Sequence, residues 1–208
     1  NKNKDNLNFD IKLNIKDNKL KFNLFNFEKK KKSDLKIEVK GEHKAKKGIL
    51  FKKINLEENK NSILIKDLSL SNGYKINYIK YITLNYLDQD NLRNNIQITK
   101  KNKSYSINGA SLNINQAIDN LINSKNKKKY NLFKDDFKIN IKIDQTYLDK
   151  NNIIKNLKGY FIYNNNEIYE SNLESSFSNN KKIKFTINTD NGKKITTLYT
   201  DVAKPFVD

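Results

Sequence analysis

Apolar residues recur at every second position along most of this chain. In NLNFDIKLNIK they are Leu7, Phe9, Ile11, Leu13 and Ile15, with polar side chains between them. Such alternation predicts a strand with one face buried and the other wet. KDNK then turns the chain, and LKFNLFNFE returns it through Leu20, Phe22 and Leu24. Phe25 and Phe27 fall on the opposite parity, which predicts a bulge or bend at that point.

The same period continues downstream. DLKIEVKG alternates through Leu35, Ile37 and Val39, and NSILIKDLSLSNG through Ile63, Ile65, Leu68 and Leu70. YKINYIKYITLNY is a long aromatic strand segment, and NLRNNIQITKKNKSYSING reads as a hairpin turning near residues 101–103. DDFKINIKIDQ places Phe137, Ile139, Ile141 and Ile143 on one face. NLKGYFIYNNNEIYESNLESSF and KKIKFTINTDNGKKITTLYT each read as strand, turn, strand. In the second of these, Asp190, Asn191 and Gly192 supply the positive φ that a tight hairpin needs.

One segment breaks the rule. NINQAIDNLINS spaces Ile114, Ala117, Ile118, Leu121 and Ile122 at three and four residues, which predicts an amphipathic helix over about 115–123, capped near Asn113 or Asn115. A second helix start is expected in TDVAKPFVD, with Thr200 or Asp201 as its cap and Pro205 in the first turn. The connections are short, which favours antiparallel meanders. The fold expected is mainly β: an extended, curved antiparallel sheet, a groove of repeating strands, with one or two short helices. A soft boundary at the basic loop 125–129 divides it into a first β-meander repeat, 1–125, and a second repeat, 126–208, that ends at a helix start. Strands with one polar and one apolar face need cover. They can meet as a sandwich, close as a barrel, or curl around something apolar that is not protein.

Composition changes this picture little. The formal charge is +18, which suggests a polyanion partner such as nucleic acid or an acidic membrane surface. Arg93 is the only arginine, however, and Pro205 the only proline, while Asn and Ile abound. That profile reads as the codon bias of an AT-rich genome, and phosphate readers favour the Arg fork. Most lysines are therefore expected on solvated strand faces, and the basic run 29–32 in a loop. With no cysteine, disulfides and thiolate chemistry are excluded. The chain has no methionine and stops at a helix start, so it reads as a fragment of something longer.

Candidate chemistry is sparse. His43 is the only histidine and sits in KGEHKAKK, which reads as a hydrophilic loop, with no partner cluster. With six glycines, a phosphate-cradling loop is not expected. DQDN at residues 88–91 and NTDNG at 188–192 carry oxygen ligands at alternate positions, but both lack the longer loop and bidentate Glu of a Ca²⁺ site and read as turns. Tyr74, Tyr78, Tyr81 and Tyr86, close to Lys75 and Lys80, could stack bases or simply build an aromatic strand pair. No catalytic residue, cofactor site or metal-ligand set is read, and no enzyme. On alternate positions of neighbouring strands stand Ile139, Ile141 and Ile143, then Tyr160 and Ile162, then Ile183, Phe185 and Ile187. These are the candidate residues for an apolar groove.

The order of elements carries a resemblance. YSINGASLNINQAIDNLIN is a strand, a Gly-bearing turn and a short amphipathic helix; Asn156, Leu157, Lys158, Gly159 and Tyr160 then open a strand, and Thr200, Asp201, Val202 and Ala203 follow the last one. This arrangement, over residues 70–208, resembles the AsmA-like superfamily of bacterial envelope proteins, in particular large members with an AsmA-like C-terminal region. Where members often carry Gly after that last motif, this chain has Lys204 and Pro205. The resemblance implies a periplasmic segment of a protein anchored to the inner membrane elsewhere in its chain. It implies a long curved β-sheet whose hydrophobic groove holds phospholipid acyl chains, and a role in phospholipid transport between inner and outer membrane and in outer-membrane integrity. Half a bilayer's hydrocarbon is about 15 Å deep, a length that about five strand residues span. The alternatives are a basic β-domain that binds nucleic acid or another polyanion, and a purely structural β-sandwich.

Overall fold

The computed structural model describes residues 6–115, 133–165 and 167–203. The first alternating segment is β1 (Asn6–Ile15). A short hairpin follows, β2 (Leu20–Phe22) and β3 (Phe27–Lys29), then β4 (Leu35–Lys44), β5 (Gly48–Glu58), β6 (Asn61–Leu70), β7 (Ile76–Leu87), β8 (Arg93–Lys101) and β9 (Ser104–Asn113). The second half contributes β10 (Phe137–Tyr147), β11 (Ile153–Asn164), β12 (Glu167–Phe177), β13 (Lys182–Asp190) and β14 (Lys193–Thr200).

All strands except β2 and β3 join one 12-stranded sheet, ordered β1-β4-β5-β6-β7-β8-β9-β10-β11-β12-β13-β14. The sheet is open, with β1 and β14 as its edges, so the chain builds an extended, curved sheet and not a two-sheet sandwich. Neighbours are antiparallel at every step but one: β9 and β10 run parallel. A parallel pair needs a long crossover, and residues 114–136 supply it. β9 and β10 pair across the boundary expected near residue 125, so both segments share one sheet. The helix expected over 115–123 lies almost wholly outside the described residues. At its described start, the Asn113 Oδ1 accepts the Asn115 N–H at 3.0 Å. Thr200 closes β14, and its hydroxyl accepts the Val202 N–H at 3.1 Å; residues 201–203 are not helical, and the remainder of the helix start expected there, 204–208, lies outside the described residues.

Pairing carries the period-two pattern across the sheet. Directly opposed residues share a face, and one row can be followed through every strand. From β1 to β9 it runs Ile11, Val39, Ile54, Ile65, Ile82, Ile98 and Ile107. From β10 to β14 it continues through Ile141, Gly159, Leu173, Phe185 and Leu198. Gly159 is the one gap, at φ 138, where a Cβ would strike the Asn172 carbonyl on β12. A second row lies nearer the end of the sheet where β1 finishes and β4 starts, called the lower end here. It includes Leu56, Ile63, Leu84, Ile96, Ile143 and Leu157, all buried. These rows form the inner face.

The parity is kept by local irregularities. Lys52, Asp67 and Lys80, on three adjacent strands, drop out of the ladders at one level. Asp67 adopts φ 50 there. The extra residue re-phases all three strands, so Phe51, Leu68 and Ile79 line up with Phe9 and Gly41 in an upper row. The Phe9 and Phe51 rings meet edge to face at 5.7 Å. At the last hairpin, Asn191 and Gly192 have φ 49 and 74, the left-handed pair that a two-residue turn requires.

The β2–β3 hairpin roofs the lower end. The parity switch between Phe22 and Phe27 is a 3₁₀ turn, Asn23–Phe25, closed by Asn26 at φ 49. Phe27 packs its ring at 5.7 Å from that of Tyr86 on β7, and the Tyr86 hydroxyl donates to the Phe25 carbonyl at 2.6 Å. Burial, reinforced by Asp88, pushes the Tyr86 hydroxyl far above its ordinary range, so it remains a donor. The hairpin leaves the sheet between β1 and β4 yet touches β7, and so crosses the inner face. Lys29 corrects the expected solvated loop: it is 0% exposed, and its ammonium donates to the carbonyls of Lys16, Asn18 and Lys30 at 2.7, 2.9 and 3.0 Å.

The outer face is charged. Glu38 bridges Lys53 at 2.5 Å and Lys40 at 3.0 Å, and Lys40 also reaches Asp10 at 3.3 Å. Hydrogen bonds from Lys53 and then Lys40 lower the Glu38 pKa from 4.5 to about 2. A lowered folded-state pKa stabilises above the unfolded value and is lost as pH falls through the folded one. The stability difference between wild type and Glu38→Gln is therefore expected to be constant above pH 4.5 and to vanish as pH falls to about 2. Paired thermal melts across that interval check it; an unchanged difference at the acid end would show that the lysines do not act on this carboxylate.

Candidate functional site

The inner face is the largest candidate surface. Its middle row is neither buried nor fully exposed over ten consecutive strands, from Val39 on β4 to Phe185 on β13. At the two sheet edges the same row is open, with Ile11 45% and Leu198 42% exposed. The hairpin and the buried lower row close one side, so the middle row forms a half-open apolar strip. Burying its side chains under another apolar body would be favourable at about 25 cal/mol per Å².

The register divides the groove candidates. Ile139, Ile141 and Ile143 oppose Phe161, Gly159 and Leu157, and Ile183, Phe185 and Ile187 oppose Ser175, Leu173 and Ser171. These six isoleucine and phenylalanine side chains lie on the inner face. Tyr160 and Ile162 do not: they oppose Asn140 and Lys138 and face outward, a correction to the expected set. Lys138 stands over the Tyr160 ring at 4.1 Å, and the Tyr160 hydroxyl donates to Glu170, which pushes its pKa up. The alternation misleads here because Tyr160, Phe161, Ile162 and Tyr163 form an unbroken apolar run with no period of its own. Phe161 and Leu173, and the half-row from Val39 to Ile107, are inner-face members that the groove candidates leave out. Their signal was present as parity within each strand, but strand parity does not say which strands share a face.

Two further features mark the inner face. Ser171 is 1% exposed and its hydroxyl has no hydrogen-bond partner; Thr146 on β10 is in the same condition. Orphaned hydroxyls of this kind are uncommon in packed interiors.

The other sequence candidates fall elsewhere. His43 lies on β4, exposed, and not in a loop. Tyr86 faces inward, whereas Tyr81, opposite Lys66 and Thr99, lies on the outer face, where its hydroxyl accepts from Gln97 at 2.6 Å. The four tyrosines therefore do not form one stacking platform. Asp88 is spent on its turn: Oδ1 accepts the N–H groups of Asp90 and Leu92 at 2.9 and 3.0 Å, and Oδ2 the amides of Asn94 and Asn113. Among the described residues no group of three His, Cys, Asp or Glu side chains could hold a metal ion, and no helix is long and apolar enough to cross a membrane. Several outer-face lysines are tied up locally, as with Lys44 and Lys52 on Glu42 at 2.8 and 3.2 Å.

Compared with protein-family models, with curated proteins and with solved structures, the chain matches none.

Proposed function

We propose that the inner face of this sheet holds phospholipid acyl chains, and that the chain is a segment of an AsmA-like envelope protein that conducts or contacts phospholipid between inner and outer membrane. The observation that carries the reading is the twelve-residue row from Ile11 to Leu198, apolar at every strand except for Gly159, and half-open throughout. Twelve strands at about 4.8 Å give a strip of about 55 Å, several times the depth of one leaflet's hydrocarbon. A soluble sheet that needed this row only for its own core would cover it. The periplasmic location and the membrane anchor in another part of the protein belong to the same proposal and rest on the element order. Lysines such as Lys40, Lys44, Lys52 and Lys53 fit it as ion-paired outer-face residues.

Lipid extraction from the purified chain, followed by mass spectrometry, is expected to recover phospholipid. Ile141→Asp is expected to keep the fold, because its position is only half-buried and water reaches the carboxylate. Its lipid load is expected to fall by about tenfold, since an apolar chain no longer gains by lying there. A folded wild type free of lipid would sink the proposal.

A further inference from the structure

We infer that the upper end of the sheet, where β7 and β8 part, seats the phosphodiester head of a lipid; this rests on the reading of the inner face as a site for acyl chains. β8 pairs with β9 up to Lys101 and Ser104, but its pairing with β7 stops at Tyr81 and Thr99. Above that point β7 is served by other groups. Its Ile79 N–H donates to the Tyr105 hydroxyl at 3.2 Å, and the Ile76 carbonyl accepts the Lys134 N–H at 2.9 Å. The returning segment at Phe133 bridges Ile76 in parallel. A cavity of about 780 Å³ opens at this split.

Its floor is aromatic and its mouth is basic. Phe137 meets Tyr105 at 5.3 Å and Phe133 at 4.7 Å, both edge to face. Tyr105 opposes Ile139 and so belongs to the inner face, which makes the floor continuous with the apolar strip. Lys100, Lys103 and Lys134 line the mouth, and none of them makes an ion pair with a described residue. Asp135 and Asp136 also line it, and the Asp136 Oδ1 accepts the Asn165 N–H at 3.1 Å. Among the described residues that line it, three cations against two carboxylates leave one negative charge wanting, which is what a single phosphodiester carries. The carboxylates leave room for a head that also bears an ammonium. A nucleic-acid strand would need a track of cations, whereas these three stand at one mouth.

The test presents the purified chain with equimolar phosphatidylglycerol and diacylglycerol of identical acyl chains, and reads the bound ratio by mass spectrometry. Wild type is expected to favour the phospholipid by about tenfold, the sum of three partly exposed charge contacts. The triple variant Lys100→Gln, Lys103→Gln, Lys134→Gln is expected to lose that preference and to bind the two lipids in about equal amounts. A control that removes three exposed charges elsewhere, Lys46→Gln, Lys47→Gln, Lys60→Gln, is expected to keep it. The head-seat inference is overturned if the triple variant retains the preference, if the control loses it equally, or if wild type binds both lipids alike. It is also overturned if soluble glycerol phosphate, at the lipid's own concentration, displaces the lipid, because that marks a site for free anions. Wild type that binds neither lipid ends the acyl-chain reading itself.

Discussion

Replacing Ile143 by Asp is expected to unfold the sheet, whereas the same change at Ile141, two residues earlier on the same face, leaves it folded. Ile143 is 1% exposed and lies in the buried row between Gly109 and Leu157. A carboxylate there has no partner and no path to water. Burying an unpaired charge in place of a packed side chain costs about 4–5 kcal/mol or more, and a domain has only about 5–15 kcal/mol in all. Ile141 is half-buried in the row above, where the inner face opens. Thermal melts of both variants check the contrast. Equal destabilisation would mean that the middle row is as closed as the lower one, and the apolar strip would then be ordinary core. Equal tolerance would mean that the lower row is no more closed to water than the middle one.

The contrast also marks what the sequence could disclose. Strand by strand, the alternation was legible, because each strand is wet on one side: Leu35, Ile37 and Val39, or Ile183, Phe185 and Ile187, read directly as one face. So was the final hairpin, since Asn191 and Gly192 have no cheaper conformation at a two-residue turn. Three things were not legible. The parallel step from β9 to β10 depends on which end of the sheet a crossover returns to, and periodicity carries no direction. Tyr160 and Ile162 were misassigned because the bulge at Asn156, with φ 55, and the apolar run after it leave parity undetermined. The concerted insertion of Lys52, Asp67 and Lys80 lies on three consecutive strands, and only their pairing brings the three residues to one level. The apolar strip itself is a product of register, so its candidates from the second half of the chain captured only part of it.

Lys29 shows the same limit in a charged residue, and its removal gives the other large effect expected. Within the basic run 29–32 nothing separates it from its neighbours, yet Lys30, Lys31 and Lys32 are exposed while Lys29 is sealed. Its three acceptors are backbone carbonyls at both ends of the hairpin segment: Lys16 and Asn18 where the chain leaves β1, and Lys30 where it turns back toward β4. One ammonium thus closes the loop that carries Phe25 and Phe27 across the inner face. Lys29→Met keeps the length and the apolar stem but removes all three donors. Relief from burying a charge offsets part of that loss. Three orphaned carbonyls outweigh it, because each hydrogen bond to a charged group contributes about 1.5–3 kcal/mol, and a net loss of about 2–4 kcal/mol is expected. The ladders of the 12-stranded sheet do not pass through this residue. The loss should therefore fall on the hairpin: faster proteolysis and amide exchange within residues 16–34, with the sheet's amides still protected. Lys31→Met, at an exposed position, should change neither. Once the hairpin lifts, Ile63 and Leu84 lose their roof and the apolar strip deepens by one row, so the variant should bind more lipid per chain than wild type. A Lys29→Met chain with unaltered exchange in that segment would show that Phe27 and Tyr86 hold the roof without the clip.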